Sequence, residues 1–134
     1  MSFITCDQGE IVLLKYMLNF APADNVVLHL FNNNYTPTTS DTLATYTESS
    51  AAGYAPKTLT GAAWTFTNVS GTSTATYARQ TFSYTTSENV YGYYITNNAG
   101  TVLIWTERFA GAPFQIPNAG GTVSLDPAIT LSTS

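Results

Sequence analysis

Val90-Tyr91-Gly92-Tyr93-Tyr94-Ile95-Thr96, then Asn97-Asn98-Ala99-Gly100, then Val102-Leu103-Ile104-Trp105-Thr106-Glu107-Arg108-Phe109 is the strongest structural signal in the chain. Two runs rich in aromatic and β-branched residues flank a turn, which is the pattern of a β-hairpin. Gly100 suits the left-handed position of a bulge that closes a type I turn. Large residues stand on both faces: Tyr91, Tyr93 and Ile95 against Tyr94 on the first limb, Leu103 and Trp105 against Val102 and Ile104 on the second. A strand pair apolar on both faces is a central pair, covered from both sides.

The β pattern continues on either side of this hairpin. Residues 110–117 place Gly111, Pro113 and Pro117 around Phe114 and Ile116 and read as an irregular crossing. Asn118-Ala119-Gly120-Gly121 is a turn, and 122–131 is a last strand broken at Asp126-Pro127, because proline belongs at a sheet edge or a bulge. Upstream, 74–85 reads as one long strand, with Ala78, Phe82 and Tyr84 on one face and Arg79, Thr81, Ser83 and Thr85 on the other. Residues 57–60 and 63–68 are short strands, the latter with Trp64 and Phe66 on a shared face. Residues 26–31 set Leu28 and Leu30 against Val27, His29 and Phe31. The polar connection 41–53 is expected to anchor through Leu43, Ala44 and Tyr46, and loops of that length are usually functional or interaction arms. About eight antiparallel strands, separated by turns, predict an all-β fold: a two-sheet sandwich, jelly-roll-like because its crossings are long.

The first residues differ. Asp7 and Glu10 are spaced as a capping-box variant, and Ile11-Val12-Leu13-Leu14-Lys15-Tyr16-Met17-Leu18-Asn19-Phe20 follows. This predicts one short α-helix over 8–19, ended by Pro22, ahead of a β-sandwich over 25–131, all within a single domain, 1–134. Lys15 and Asn19 share one face and the rest of the circumference is nearly all apolar. Such a helix must be covered on more than one side, and a second subunit is one source of cover. Leu14, Tyr16, Met17 and Phe20 are therefore candidate interface residues. Arg79, isolated on a Thr/Ser face, joins them as a partner for a carboxylate on another subunit.

Composition narrows the function. The chain has 134 residues, 4 Lys and Arg against 8 Asp and Glu, and a net charge of −4. So few cations cannot neutralise a nucleic-acid backbone or form a polybasic membrane patch, and no apolar run reaches transmembrane length. Neither nucleic acid nor a membrane is an expected partner. Charge is 9% of the chain, while Thr supplies 23 residues, so polarity comes from hydroxyls and amides. Solubility normally relies on charge; a protein packed into an assembly needs less. Met1-Ser2-Phe3-Ile4 shows no basic region leading into an apolar stretch, so no leader is expected. Cys6 is the only cysteine, which excludes an intrachain disulfide and a Cys-based metal cluster; it reads as a small buried residue.

Chemistry is sparse. His29 is the only histidine and shows no ligand spacing, so no metal site is expected. A nucleophile–His–carboxylate triad has to be built around His29, and no serine sits in a GxSxG elbow. Glu48, Glu88 and Glu107 are the carboxylates best placed for glycoside hydrolysis, but charges at strand ends explain them more simply. Tyr91, Tyr93, Tyr94 and Trp105 form either a sugar-stacking platform or, more simply, core. No catalytic residue and no cofactor is assigned, and the chain reads as no enzyme.

Leu28-His29-Leu30-Phe31-Asn32-Asn33-Asn34-Tyr35-Thr36-Pro37 leads to Asp41-Thr42, then Tyr54-Ala55-Pro56-Lys57-Thr58-Leu59-Thr60 and Trp64-Thr65, then the 90–96 strand, Gly100 and Leu103-Ile104-Trp105-Thr106-Glu107-Arg108-Phe109. In that order, over about residues 8–131, the chain resembles small structural proteins of tailed bacteriophages, most of all the capsid decoration (cement) proteins. The resemblance implies a jelly-roll-like protein, a homo-oligomer (trimer or dimer), made in the host cytoplasm and placed on the capsid surface of the virion. There it would clamp neighbouring major capsid protein subunits. The competing expectation is a receptor- or glycan-binding module of a tail fibre, or another tail or connector component.

Overall fold

A computed structural model of the chain describes residues 4–132. The start of the Met1-Ser2-Phe3-Ile4 segment, read above as lacking a leader, lies outside the described residues. Twelve strands and one α-helix follow in order: β1 (Ile4–Thr5), α1 (Asp7–Met17), β2 (Val26–Phe31), β3 (Lys57–Leu59), β4 (Thr65–Val69), β5 (Thr72–Thr76), β6 (Gln80–Tyr84), β7 (Glu88–Val90), β8 (Gly92–Asn97), β9 (Leu103–Arg108), β10 (Phe114–Ile116), β11 (Gly121–Leu125) and β12 (Ala128–Ser132). Every pairing is antiparallel. The all-β class with a short N-terminal helix is as the sequence predicts.

The β8–β9 hairpin is central. It lies in a five-stranded sheet of order β1-β9-β8-β2-β3. Gly100, at φ 70°, closes its turn, and its N–H donates to the Asn97 carbonyl. One face of the sheet carries Leu28, Leu30, Tyr93, Ile95 and Trp105 into a core shared with Phe82, Tyr84, Val90, Ile116 and Val123 from β6, β7, β10 and β11. The other face carries Phe31 and Tyr94 into a second cluster with Cys6, Tyr46 and Leu103. One detail departs from simple alternation. Ile95 pairs Trp105 while Thr96 pairs Leu103, so a bulge at Ile104 turns Leu103 to the opposite face from Trp105.

The remaining pairs nest. β5 pairs β12, β6 pairs β11, β7 pairs β10 and β8 pairs β9. This is one antiparallel ribbon folded back on itself, in which β8 takes β2 as its second neighbour. The ribbon also explains two differences from the sequence reading. The 74–85 segment is two strands, because the limb must bend at 77–79 opposite the Asp126-Pro127 break; Tyr77 N–H donates to the Pro127 carbonyl across that bend. The 110–117 crossing contains the short strand β10, which pairs β7 where the ribbon resumes after its next corner.

The helix is shorter than 8–19. Cys6, not Asp7, is the N-cap; neither Asp7 nor any other side chain caps, and Asp7 N–H donates to the Thr39 carbonyl. The end comes well before Pro22. Asn19 adopts φ 57°, with Asn19 N–H donating to the Tyr16 carbonyl and Phe20 N–H to the Lys15 carbonyl. That pair of bonds is a Schellman stop with asparagine in the left-handed position.

Candidate functional site

Helix α1 lies on β9 through its smallest residue. A Cβ on Gly9 would sit 2.3 Å from the Ile104 carbonyl oxygen and 2.5 Å from its Cα. Cys6 N–H donates to that same carbonyl, 2.9 Å, continuing the β1–β9 pairing into the start of the helix. Gly9 is buried, and Val12 and Leu13 pack against the core. At about 100° per residue, the opposite face carries Leu14, Leu18 and Ile11, with Met17 at its edge. These side chains are exposed: Ile11 55%, Leu14 52%, Met17 71%, Leu18 70%, and Phe20 beyond the cap 79%.

Of the sequence-predicted interface residues, Leu14, Met17 and Phe20 are thus all exposed; Leu14 and Phe20 line one shallow apolar depression with Ile11 and Leu18, and Met17 stands on the side toward the three-stranded sheet. Phe20 is set there by the Schellman turn, with the Lys15 ammonium 5.8 Å from its ring centroid. Tyr16 is half-buried, closer to the core-facing side. Arg79 lies elsewhere and finds its carboxylate within the chain. Its Nε and Nη2 donate to the two Asp126 oxygens at 3.0 and 2.9 Å. This bidentate pair bridges the two limbs of the ribbon where both bend, and it holds the exposed Asp126 carboxyl below its ordinary pKa.

The apolar surface continues past the helix. The three-stranded sheet β12-β5-β4 stands beside α1. Register puts Phe66, Ala75 and Ile129 in one row and Asn68, Ser73 and Leu131 in the next, on the face toward α1. With Leu13 and Met17 they line a groove of about 690 Å³. Phe66 is 75% and Leu131 71% exposed. The sequence reading paired Trp64 with Phe66; Trp64 instead turns in to meet Tyr77 and Trp105, centroids 5.1 and 6.3 Å away, while Phe66 stays out.

The polar clusters serve the loop that covers the second face of the central sheet. Asp41 is buried and accepts from Tyr35 OH, Thr38 N–H, Thr38 OH and Tyr46 OH, at 2.7, 2.9, 2.7 and 2.7 Å. Burial alone would raise its pKa; the bonds from Tyr46, Thr38 and Tyr35 outweigh burial and hold it below the ordinary value. Nothing in the sequence pattern distinguished Asp41 from other turn aspartates. Tyr46 anchors the loop as expected and Leu43 is partly buried, but Ala44 is exposed. The Cys6 thiol is fully buried in the same cluster, and burial, then Asp41, pushes its pKa up to about 12.

The catalytic candidates are placed as follows. Glu48 Oε2 lies 2.7 Å from His29 Nδ1 and accepts from Tyr54 OH at 2.8 Å; His29 Nε2 lies 3.0 Å from Thr96 Oγ1. Carboxylate, imidazole and hydroxyl thus stand in a triad-like row, but Thr96 is 1% exposed and its hydroxyl also donates to the Asn97 carbonyl. The row acts as a tie between the loop and the sheet, with His29 stacked on Tyr94 at 4.7 Å. Glu88 accepts from Ser49 OH, Asn32 and the Ser50 and Ala51 N–H groups. Burial would raise its pKa, and these bonds bring it below the ordinary value instead. Glu107 shares the Trp105 face by register, and burial raises its pKa. Tyr93, Tyr94 and Trp105 are 5%, 5% and 3% exposed, so three of the four aromatics considered for sugar stacking are core. Among the described residues no three His, Cys, Asp or Glu side chains gather in a metal-ligating cluster, and no helix is long and apolar enough to cross a membrane.

No family model, no curated protein and no solved structure matches this chain.

Proposed function

We propose that the chain is a non-enzymatic structural protein of a phage virion, which decorates and stabilises the capsid by clamping neighbouring major capsid protein subunits as a homo-oligomer. The observation that carries this reading is the apolar exposure of α1 and of the three-stranded sheet beside it, where Leu14, Met17, Phe20, Phe66 and Leu131 are all half or more exposed. Exposed apolar patches of this extent mark interaction sites. A surface poor in charge lowers the desolvation cost of contact, and several such contacts per oligomer add through effective concentration.

A glycan-binding tail-fibre module draws on the aromatic hairpin, and the burial of Tyr93, Tyr94 and Trp105 removes that platform. The test is co-sedimentation of the purified protein with empty heads, together with immunogold labelling of virions. Saturable binding and head labelling support the proposal. Absence from virions, or tail labelling alone, overturns it in favour of a tail or connector component.

A further inference from the structure

Among the described residues, strand β4 ends the three-stranded sheet with an open edge. All five of its residues are exposed, a pattern found in no other strand with a described burial pattern. Edge strands are normally blunted by charge, proline or a bulge. Thr65-Phe66-Thr67-Asn68-Val69 has neither charge nor proline, its ladder to β5 runs without a register shift, and no charged residue occurs anywhere over 58–78.

The direction of its free backbone groups follows from the turn. Ser70 and Gly71, at φ 49° and 82°, form a two-residue connection, so Val69 and Thr72 are the hydrogen-bonded closing pair. Antiparallel pairs alternate. Thr67–Thr74 and Thr65–Thr76 are then bonded pairs, and Phe66 and Asn68 aim their N–H and C=O groups at the open edge. We propose that this edge pairs with β4 of a second copy of the chain, antiparallel about a two-fold axis at Thr67. In that register Phe66 of one copy exchanges both bonds with Asn68 of the other, twice over, while Thr67 meets Thr67 as the non-bonded pair. A shift by one step either way along the strand centres the axis on Phe66 or Asn68 and loses one of these double exchanges.

A second copy is the occupant for three reasons. The edge is self-complementary under a two-fold, as an isologous interface must be. The uncharged 58–78 segment lets two chains of net charge −4 meet without local like-charge repulsion. The seam also gives cover to the apolar side chains that β4 itself leaves in water, Phe66 at 75% and Val69 at 70% exposure, which would gain cross-strand neighbours on the second copy. The pairing would join two three-stranded sheets into one of six strands and bring the two Phe66–Met17–Leu131 grooves side by side. It rests on the reading of this region as an assembly surface and names its first partner.

Cysteine cross-linking tests it. Non-bonded antiparallel pairs bring Cβ atoms to about 4.5–5.5 Å, close to disulfide reach, whereas Thr65 and its copy would stand about 14 Å apart. Thr67→Cys should form a disulfide-linked dimer under mild oxidation, at least tenfold faster than Thr65→Cys, and Cys6 is buried and does not compete. Asn68→Pro removes an edge N–H without touching the β5 ladder, and Thr67→Lys sets like charges opposite each other. Both should convert the dimer seen by light scattering to monomer, with a cooperative thermal melt that no longer rises with protein concentration. A wild type that stays monomeric at high micromolar concentration, equal cross-linking at 65 and 67, or a dimer that survives both edge variants overturns the pairing; the cysteine pair decides alone where an edge variant fails to fold. Head co-sedimentation separates the two claims: a monomer that binds heads sinks the pairing only, and a dimer that binds none sinks the capsid reading only.

Discussion

Replacing Met17 separates assembly from folding. Met17 is 71% exposed, so the isolated chain already leaves most of its side chain in water. That exposed part is about 140 Å², and at about 25 cal/mol per Å² its full burial on a partner is worth about 3.5 kcal/mol; half burial is worth about 1.7. Met17→Asp and Met17→Lys both abolish that gain. They act oppositely on the helix, because Met17 is its last residue: a carboxylate there opposes the macrodipole and an ammonium favours it, each by about 0.3–1 kcal/mol. Head binding should therefore weaken about 20–400-fold for both variants. Urea unfolding should differ from wild type by under about 1 kcal/mol, with the Lys variant the more stable of the two. Co-sedimentation isotherms and urea curves on the same preparations measure both quantities. A Lys variant that loses more than about 2 kcal/mol of stability while binding heads like wild type would show that Met17 belongs to the monomer's packing and refute the reasoning.

Three further outcomes concern the fold that carries the surface. Gly9→Ala places a methyl 2.3 Å from the Ile104 oxygen; backbone on both sides cannot yield, so α1 should lift from β9 at a cost of about 2–3 kcal/mol in urea unfolding, and a change under about 0.5 would deny the close approach. Asp41→Asn leaves the Thr38 N–H and two tyrosine hydroxyls without their ionic acceptor and should cost about 2–4 kcal/mol at pH 7. Because the folded pKa of Asp41 lies below its unfolded value, its contribution is present above the unfolded pKa near 4 and is lost as pH falls through the folded value; the gap between wild type and variant should close on acidification, and a gap independent of pH contradicts the assignment. Glu107 has the opposite sign: its folded pKa is raised, so ionisation opposes folding above that pKa. Glu107→Gln should be neutral or stabilising at pH 7 with the difference vanishing in acid, as read from melting temperatures across pH.

The sequence carried what depends on local pattern. Val26–Phe31 was legible to the residue, because its alternation is clean and its neighbours are turn formers. The central hairpin was legible because both limbs are apolar on both faces and Gly100 closes them. The long 74–85 strand was misread for a non-local reason: the bend at 77–79 is dictated by Asp126-Pro127 on the other limb, about fifty residues away, and nothing between Thr74 and Thr85 announces it. Leu103 changed faces for a similar reason, since the bulge at Ile104 is a mismatch in the pairing of β9 with β8 that the alternation of 102–109 does not show. At the candidate surface, the apolar circumference of α1 was readable, and so was its need for cover. The part played by β4 was not, because alternation such as Thr65-Phe66-Thr67 looks the same in an inner strand and at an open edge.

The disposition of the charges bears on what the surface is for. Of the 12 charged residues, Asp41, Glu48, Glu88, Arg79 and Asp126 are engaged in the internal ties described above, and two more are satisfied on the chain itself: Arg108 donates to the Tyr35 carbonyl and lies over the Tyr91 ring, and the Lys57 ammonium lies 5.2 Å from the Phe82 ring centroid. Asp24 accepts from Asn25 N–H and Asn98, and Asp7, Glu10 and Lys15 ride on α1. The three-stranded sheet receives none. A protein relying on solvation alone would spread its few charges over its most exposed strands, where they also guard against edge pairing. Here they are spent on clamping a loop and a ribbon bend, while the most exposed strand is left neutral beside an apolar helix face. Such a distribution stiffens one half of the molecule and leaves the other ready to be buried, which is the division of labour an assembly subunit requires.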